Sequence, residues 1–127
     1  NDPSRLEQRR AFIDDLINML GASRRDRFTY ADTMSRDKEA LREAYQVWLS
    51  FWRDLMLRAS SSNLPLVNLD REMVIEELAA RISLSSARQR IADLEKSIAR
   101  LDSNLNARLL TEVLLLDWPR IALEENI

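Results

Sequence analysis

Between Ala44 and Leu57 only Gln46, Ser50, Arg53 and Asp54 are polar. Leu41, Tyr45, Trp48, Trp52, Leu55 and Ala59 follow one another at steps of four and three, the spacing of one α-helical stripe. Val47, Leu49, Phe51, Met56 and Leu57 lie off that stripe. A helix that is apolar on nearly every side must be surrounded by protein. The stretch Ala40–Ala59 therefore reads as a central helix with other helices packed round it. Its aromatic residues read first as core, because aromatic side chains dominate core burial. A cofactor or ligand box is the competing use.

The rest of the composition narrows the fold. A chain of 127 residues is one ordinary domain. One glycine and three prolines are too few for the frequent turns of a strand protein, and no β-branched alternation occurs. The expected fold class is all-α, a compact bundle of about five to six helices. The net charge of −2 gives no sign of a dedicated nucleic-acid binder. No cysteine means no disulfide framework and no thiol chemistry. No histidine removes the commonest general base and the commonest zinc ligand. No apolar run approaches the ~18–20 residues of a membrane span, and no signal peptide is visible, so a cytoplasmic location is expected. The sequence opens Asn1-Asp2-Pro3 without an initiator Met, as a piece of a longer protein would.

Capping residues mark the other elements. Asp2 and Pro3 open a first helix, Pro3–Leu20, with Leu6, Phe12, Ile13, Leu16, Ile17 and Leu20 as its apolar stripe and Gly21 at its C′ position. Arg5, Arg9 and Arg10 against Asp14 and Asp15 read as a solvated face of helix-spaced pairs. Ser23 caps a second helix, Arg24–Met34, with Phe28, Ala31 and Tyr30 inward. Arg24, Arg25 and Arg27 form the most basic spot; interspersed Asp26 and Asp32 favour a solvated face over a phosphate patch. Ser35 is the expected cap of the central helix, with Asp37 and Glu39 in its first turn. The segment after Ala59 is a loop whose Leu64, Leu66, Val67 and Leu69 should hold it against the domain. Asp70 caps a short helix, Arg71–Ile82, with Val74, Leu78 and Ile82 inward.

Ser83 or Ser85 opens the next helix, and Ser86-Ala87-Arg88-Gln89 also matches a capping box. Its stripe of Ala87, Ile91, Leu94, Ile98, Leu101 and Leu105 is one face of a helical hairpin, broken at Asp102-Ser103-Asn104. The last helix, Leu105–Asp117, is apolar round most of its girth and stops at Trp118-Pro119. Either the domain buries that surface or a partner covers it.

No catalytic set is present. One glycine excludes a glycine-rich phosphate loop, and without His or Cys there is no Ser/His/Asp or Cys/His arrangement. Carboxylate metal sites on facing helices normally include a Glu-x-x-His. Glu112 with Arg108, and Asp54 with Arg58, read as local i,i+4 ion pairs rather than as functional buried carboxylates. Arg53 snorkels or pairs across helices. No cofactor or metal is expected.

Three segments together carry a family resemblance. Trp48–Leu57 contains Trp52-Arg53-Asp54-Leu55. Leu66–Ala79 contains Asn68 and Asp70 as an Asn-x-Asp. Asn104–Pro119 contains Asn104, Asn106, Arg108, Leu109 and Glu112, followed by the apolar run Val113–Leu116. In this order and spacing they resemble the C-terminal domain of bacterial DNA polymerase III clamp-loader subunits, with the delta-prime pattern the nearest and gamma/tau and delta comparable. The resemblance covers roughly Leu16–Pro119; it departs at Ala107, where the family often has Pro. It implies a non-catalytic collar domain that joins its counterparts in a pentameric ring. An N-terminal AAA+ module would lie upstream, and the whole assembly uses ATP to place the sliding clamp on primed DNA. The implied partners are the gamma/tau and delta subunits, without DNA contact by this domain. The last helix then offers Leu110, Leu114, Leu115 and Trp118 as a candidate intersubunit surface, and the motif residues are structural. The readings from other classes are a helical regulator binding a peptide or small ligand between helices, a helical enzyme using Asp and Glu with magnesium, and DNA contact through Arg24–Arg27.

Overall fold

The computed structural model describes residues 3–103 and 106–123. Among these it is all-α: α1 (Pro3–Gly21), α2 (Arg24–Met34), α3 (Lys38–Ala59), a single 3₁₀ turn (Leu69–Arg71), α4 (Glu72–Ala79), α5 (Leu84–Leu101) and α6 (Ala107–Leu116). The expected cap Asp2, Asn104 of the expected break, and Leu105 at the head of the last helix lie outside the described residues.

α3 is the axis. It packs along α5 and also against α4, α1 and α2, while α6 lies across α2 and α5. Ten of its residues are buried, round more than half of the helix, and one face carrying Glu39, Gln46 and Arg53 stays exposed. Each fully buried Leu or Phe is worth about 1.5–3 kcal/mol relative to an exposed one, against about 0–1 for an exposed ion pair, so this core and not the many surface pairs sets the stability. Trp48 is the hub of an aromatic cluster. Its ring centroid lies 5.8 Å from Tyr45, 6.1 Å from Tyr30 and 5.3 Å from Trp118. Its indole N–H donates to the Phe12 carbonyl at 2.9 Å, tying α3 to α1. The Tyr45 hydroxyl meets Thr111 Oγ1 at 2.6 Å; Thr111 donates to the Ala107 carbonyl, so Tyr45 is the donor. Burial pushes the Tyr45 phenol up to about 12, which keeps it a donor at neutral pH.

Most helix starts follow the expected chemistry. Ser23 accepts from Asp26 N, Ser83 from Ser86 N, and Asn106 from Leu109 N. Three ends differ. Ser35 continues the right-handed backbone and closes α2, and Asp37, in extended backbone, caps α3 by accepting from Ala40 N at 3.1 Å. Asp70 caps nothing: the chain enters α4 through the 3₁₀ turn, and no side chain accepts from α4's first amides. Gly21 is the last helical residue, with no positive φ, rather than a left-handed C′ residue.

The left-handed position is Ser61, φ 63°, after α3. Ser62 N donates to Leu57 O at 2.9 Å and Ser61 N to Arg58 O at 3.0 Å, the paired bonds of a Schellman close that normally uses Gly. Ser61→Gly is expected to stabilise the domain by about 0.5–1 kcal/mol by relieving the Cβ clash, read as a higher urea midpoint at unchanged slope.

Candidate intersubunit surface

A buried polar clasp holds the α3–α4 loop. The Asp54 carboxylate is fully buried on α3. It accepts from Val67 N at 2.9 Å, Asn68 N at 2.8 Å and Asn68 Nδ2 at 2.8 Å. The Asn68 side-chain oxygen accepts from Arg9 Nη2 at 2.8 Å, and the same nitrogen reaches Ser50 Oγ at 3.1 Å. A negative charge on α3 is thus linked to a positive charge on α1 through one asparagine. This corrects the expected Asp54–Arg58 pair. Arg58 instead pairs with Glu76 at 2.8 Å and donates to the Ser62 and Leu64 carbonyls. Nor do the charges of α1 pair along their own helix: Asp14 bridges to Arg71 at 2.7 Å and Asp15 accepts from the Tyr30 hydroxyl at 2.7 Å.

The clasp decides which loop side chains face out. Leu66 is buried beside it, while Leu64, Val67 and Leu69 are exposed, so the loop lies on the domain through one leucine rather than four. Leu69 and Met73 share a shallow cleft with Ile17 and Val74, edged by Asp70. Asp70 also lines a small cleft with Leu6, Arg9, Arg10 and Ile13, and Leu6 and Arg9 line the groove between α1 and α3. The three clefts therefore adjoin one another across α1, with Leu6 at one end, Met73 at the other, and Arg9, Arg10 and Asp70 between them. Met73 is 88% exposed, the most of any large apolar residue described.

A second apolar strip lies on α6. Leu109 and Val113, four apart, are each 53% exposed, with Leu110 half-buried beside them. Leu114, Leu115 and Trp118, expected on this surface, are in the core instead. The Trp118 ring stands edge-on to Trp48 and Trp52, at 5.3 and 5.8 Å. The reason is the placement of α6 across α2 and α5, which leaves only its 109/113 edge open.

Arg27 belongs to the interior as well, and not to a solvated basic face. Its guanidinium donates to five carbonyl oxygens: Met19 and Leu20 at the end of α1, Leu115 at the end of α6, and Trp118 and Pro119 beyond it, at 2.8–3.3 Å. The C-terminal ends of two helices, each a partial negative charge with orphan carbonyls, are closed by one cation. Burial, and then Arg120, push its pKa below the ordinary arginine value.

The family model described as DNA polymerase III, delta subunit, C terminal, matches residues 3–120. The chain belongs to this family. It is a C-terminal domain of a clamp-loader subunit, acting in DNA replication. Comparison with curated proteins and with solved structures returns no match.

In this clamp-loader domain the motif residues have separate tasks. Asp54 and Asn68 make the clasp, and Trp52 is fully buried core, 5.8 Å from Trp118. Arg53 pairs with Glu95 of α5 at 3.6 Å, as expected of a cross-helix contact. Asn106 caps α6, and Arg108 lies 3.6 Å from Glu112 as the expected local pair. Asp70 is exposed at the edge of the Leu69 cleft, and Asn104 falls outside the described residues. Arg9 and Arg27, which the motifs do not contain, complete the clasp and the helix-end closure. Among the described residues no group of His, Cys, Asp or Glu is placed to hold a metal ion, and no helix is long and apolar enough to cross a membrane.

Proposed function

We propose that this chain is the collar domain of a delta-prime-type clamp-loader subunit, a non-catalytic module that holds its subunit in the pentameric ring. The observation that supports this most is the presence of two exposed apolar patches on separate elements: Leu69 with Met73 at the start of α4, and Leu109 with Val113 on α6. A ring member touches two neighbours through different faces, a head-to-tail arrangement that closes only if each subunit offers both. The delta-prime assignment rests on the Trp52–Leu55, Asn68/Asp70 and Asn104–Glu112 patterns. The partners are the gamma/tau and delta subunits, the AAA+ module lies upstream, and the work is done in the cytoplasm. DNA contact is not part of this role.

Sedimentation of the chain with the C-terminal domains of gamma/tau and delta from the same organism tests the reading. Discrete mixed complexes at micromolar concentration are expected. Leu109→Glu combined with Val113→Glu should weaken them by about tenfold or more while the thermal melt of the isolated chain stays put, because both side chains are already half exposed. Folded domains that show no association across that range would sink the proposal.

A further inference from the structure

The groove between α1 and the first half of α3 has an apolar floor of Leu6, Phe12 and Val47. Its α1 edge carries Arg5 and Arg9. Among the described residues Arg5 has no carboxylate partner, and Arg9 donates only to the neutral oxygens of Ser50 and Asn68. On the opposite edge Arg42 is already paired, with Glu39 and Asp102, which leaves Glu43 as the one carboxylate lining the groove. Glu7, two residues from both Arg5 and Arg9, points to the other side of α1. Arg5 and Arg9 are one helical turn apart, about 6 Å along the axis.

Resting on the assembly reading above, we infer that this groove seats an amphipathic helix of a neighbouring clamp-loader subunit. Apolar residues at i, i+3 or i+4, and i+7 of that helix cover Leu6, Phe12 and Val47. Acidic residues at i and i+4 on its flank meet Arg5 and Arg9, whose one-turn spacing they share. The charge complementarity sets which helix docks and in which direction; the apolar floor supplies the affinity. The groove continues into the Leu69/Met73 surface through Leu6, Arg9 and Asp70, so one docked subunit covers both.

The chain has no native cysteine, so Gln46→Cys, at an exposed position lining the groove, carries a single photo-crosslinker. Mixed with the full-length gamma/tau and delta subunits, it should crosslink to one helix with acidic residues a turn apart. Leu6→Glu should weaken the complex about tenfold or more, and Arg5→Glu should weaken it and flatten its salt dependence, with the thermal melt unchanged. A crosslink to a basic or neutral segment, or to a second copy of this chain, overturns the inference. So does wild-type affinity for Leu6→Glu. If Leu109→Glu with Val113→Glu disrupts a complex that Leu6→Glu leaves intact, the groove assignment falls and the collar reading stands. If the wild-type chain joins no complex, both fall.

Discussion

Arg27→Ala is expected to destabilise the domain by about 2–4 kcal/mol, a large share of the ~5–15 kcal/mol that holds a small domain folded. The guanidinium satisfies five carbonyls at two helix ends, and hydrogen bonds to a charged group are worth about 1.5–3 kcal/mol each, though not additively. Removing it takes one donor from the Met19, Leu20 and Leu115 oxygens, which keep the amides of Ala22, Ile121 and Trp118, and strips the Trp118 and Pro119 oxygens of the guanidinium. Arg27→Met, which keeps the stem and loses the fork, should cost nearly as much. Arg27→Lys should fall between, because an ammonium presents three donors from one point and cannot span both helix ends. Urea unfolding followed by tryptophan fluorescence reads all three, since Trp118 sits in the segment that Arg27 holds. A loss below about 1 kcal/mol for Arg27→Ala would show that the helix ends are satisfied without it.

Asp54→Ala should cost about 3 kcal/mol. It strips the acceptor from Val67 N, Asn68 N and Asn68 Nδ2, and leaves Arg9 as the one charge of a half-buried network. The effect is local before it is global. Amide exchange at Val67 and Asn68 should speed up well before that of α3, because the loop can leave the core by exposing little more than Leu66. Asp54→Asn keeps one acceptor oxygen and should cost less. In a double-mutant cycle Asp54→Ala and Asn68→Ala should be strongly non-additive, since each removes the same bonds. Additive losses would mean that the two residues act separately. The surface built by Leu69 and Met73 depends on this loop, so Asp54→Ala should also weaken assembly without touching a partner.

Much of the architecture was legible in local chemistry. The girth of apolar residues from Ala44 to Leu57 required a surrounded helix, and α3 is buried round more than half of its girth, open only on the face of Gln46 and Arg53. Ser23 and Ser83 cap where short polar side chains before apolar-periodic runs should, and α2 runs over Arg24–Met34 as expected. Elsewhere two local signals compete. Ser35 and Asp37 are both good caps, and only the backbone angles around them decide which one takes the role. Asp54–Arg58 and Arg10–Asp14 have i,i+4 spacing, yet those carboxylates found donors on other elements: exposed Asp14 pairs with Arg71, and buried Asp54 takes the amides of Val67 and Asn68, where burial makes a hydrogen bond worth more than in water.

The periodicity, the caps and the scarcity of glycine determined by themselves that this chain is a helical bundle around α3, and the three spaced motifs pointed to its clamp-loader family. Tertiary structure alone decided which apolar residues remain outside. A helix as apolar as α6 does not record the direction from which α2 and α5 approach it, so Val113 and Leu114 look alike in sequence and lie on opposite sides of the boundary. It alone decided the place of Arg27 too. Three of that arginine's partners lie 88–92 residues away, and they are backbone carbonyls. Every residue carries one, so no side-chain pattern can announce which of them a distant cation will reach.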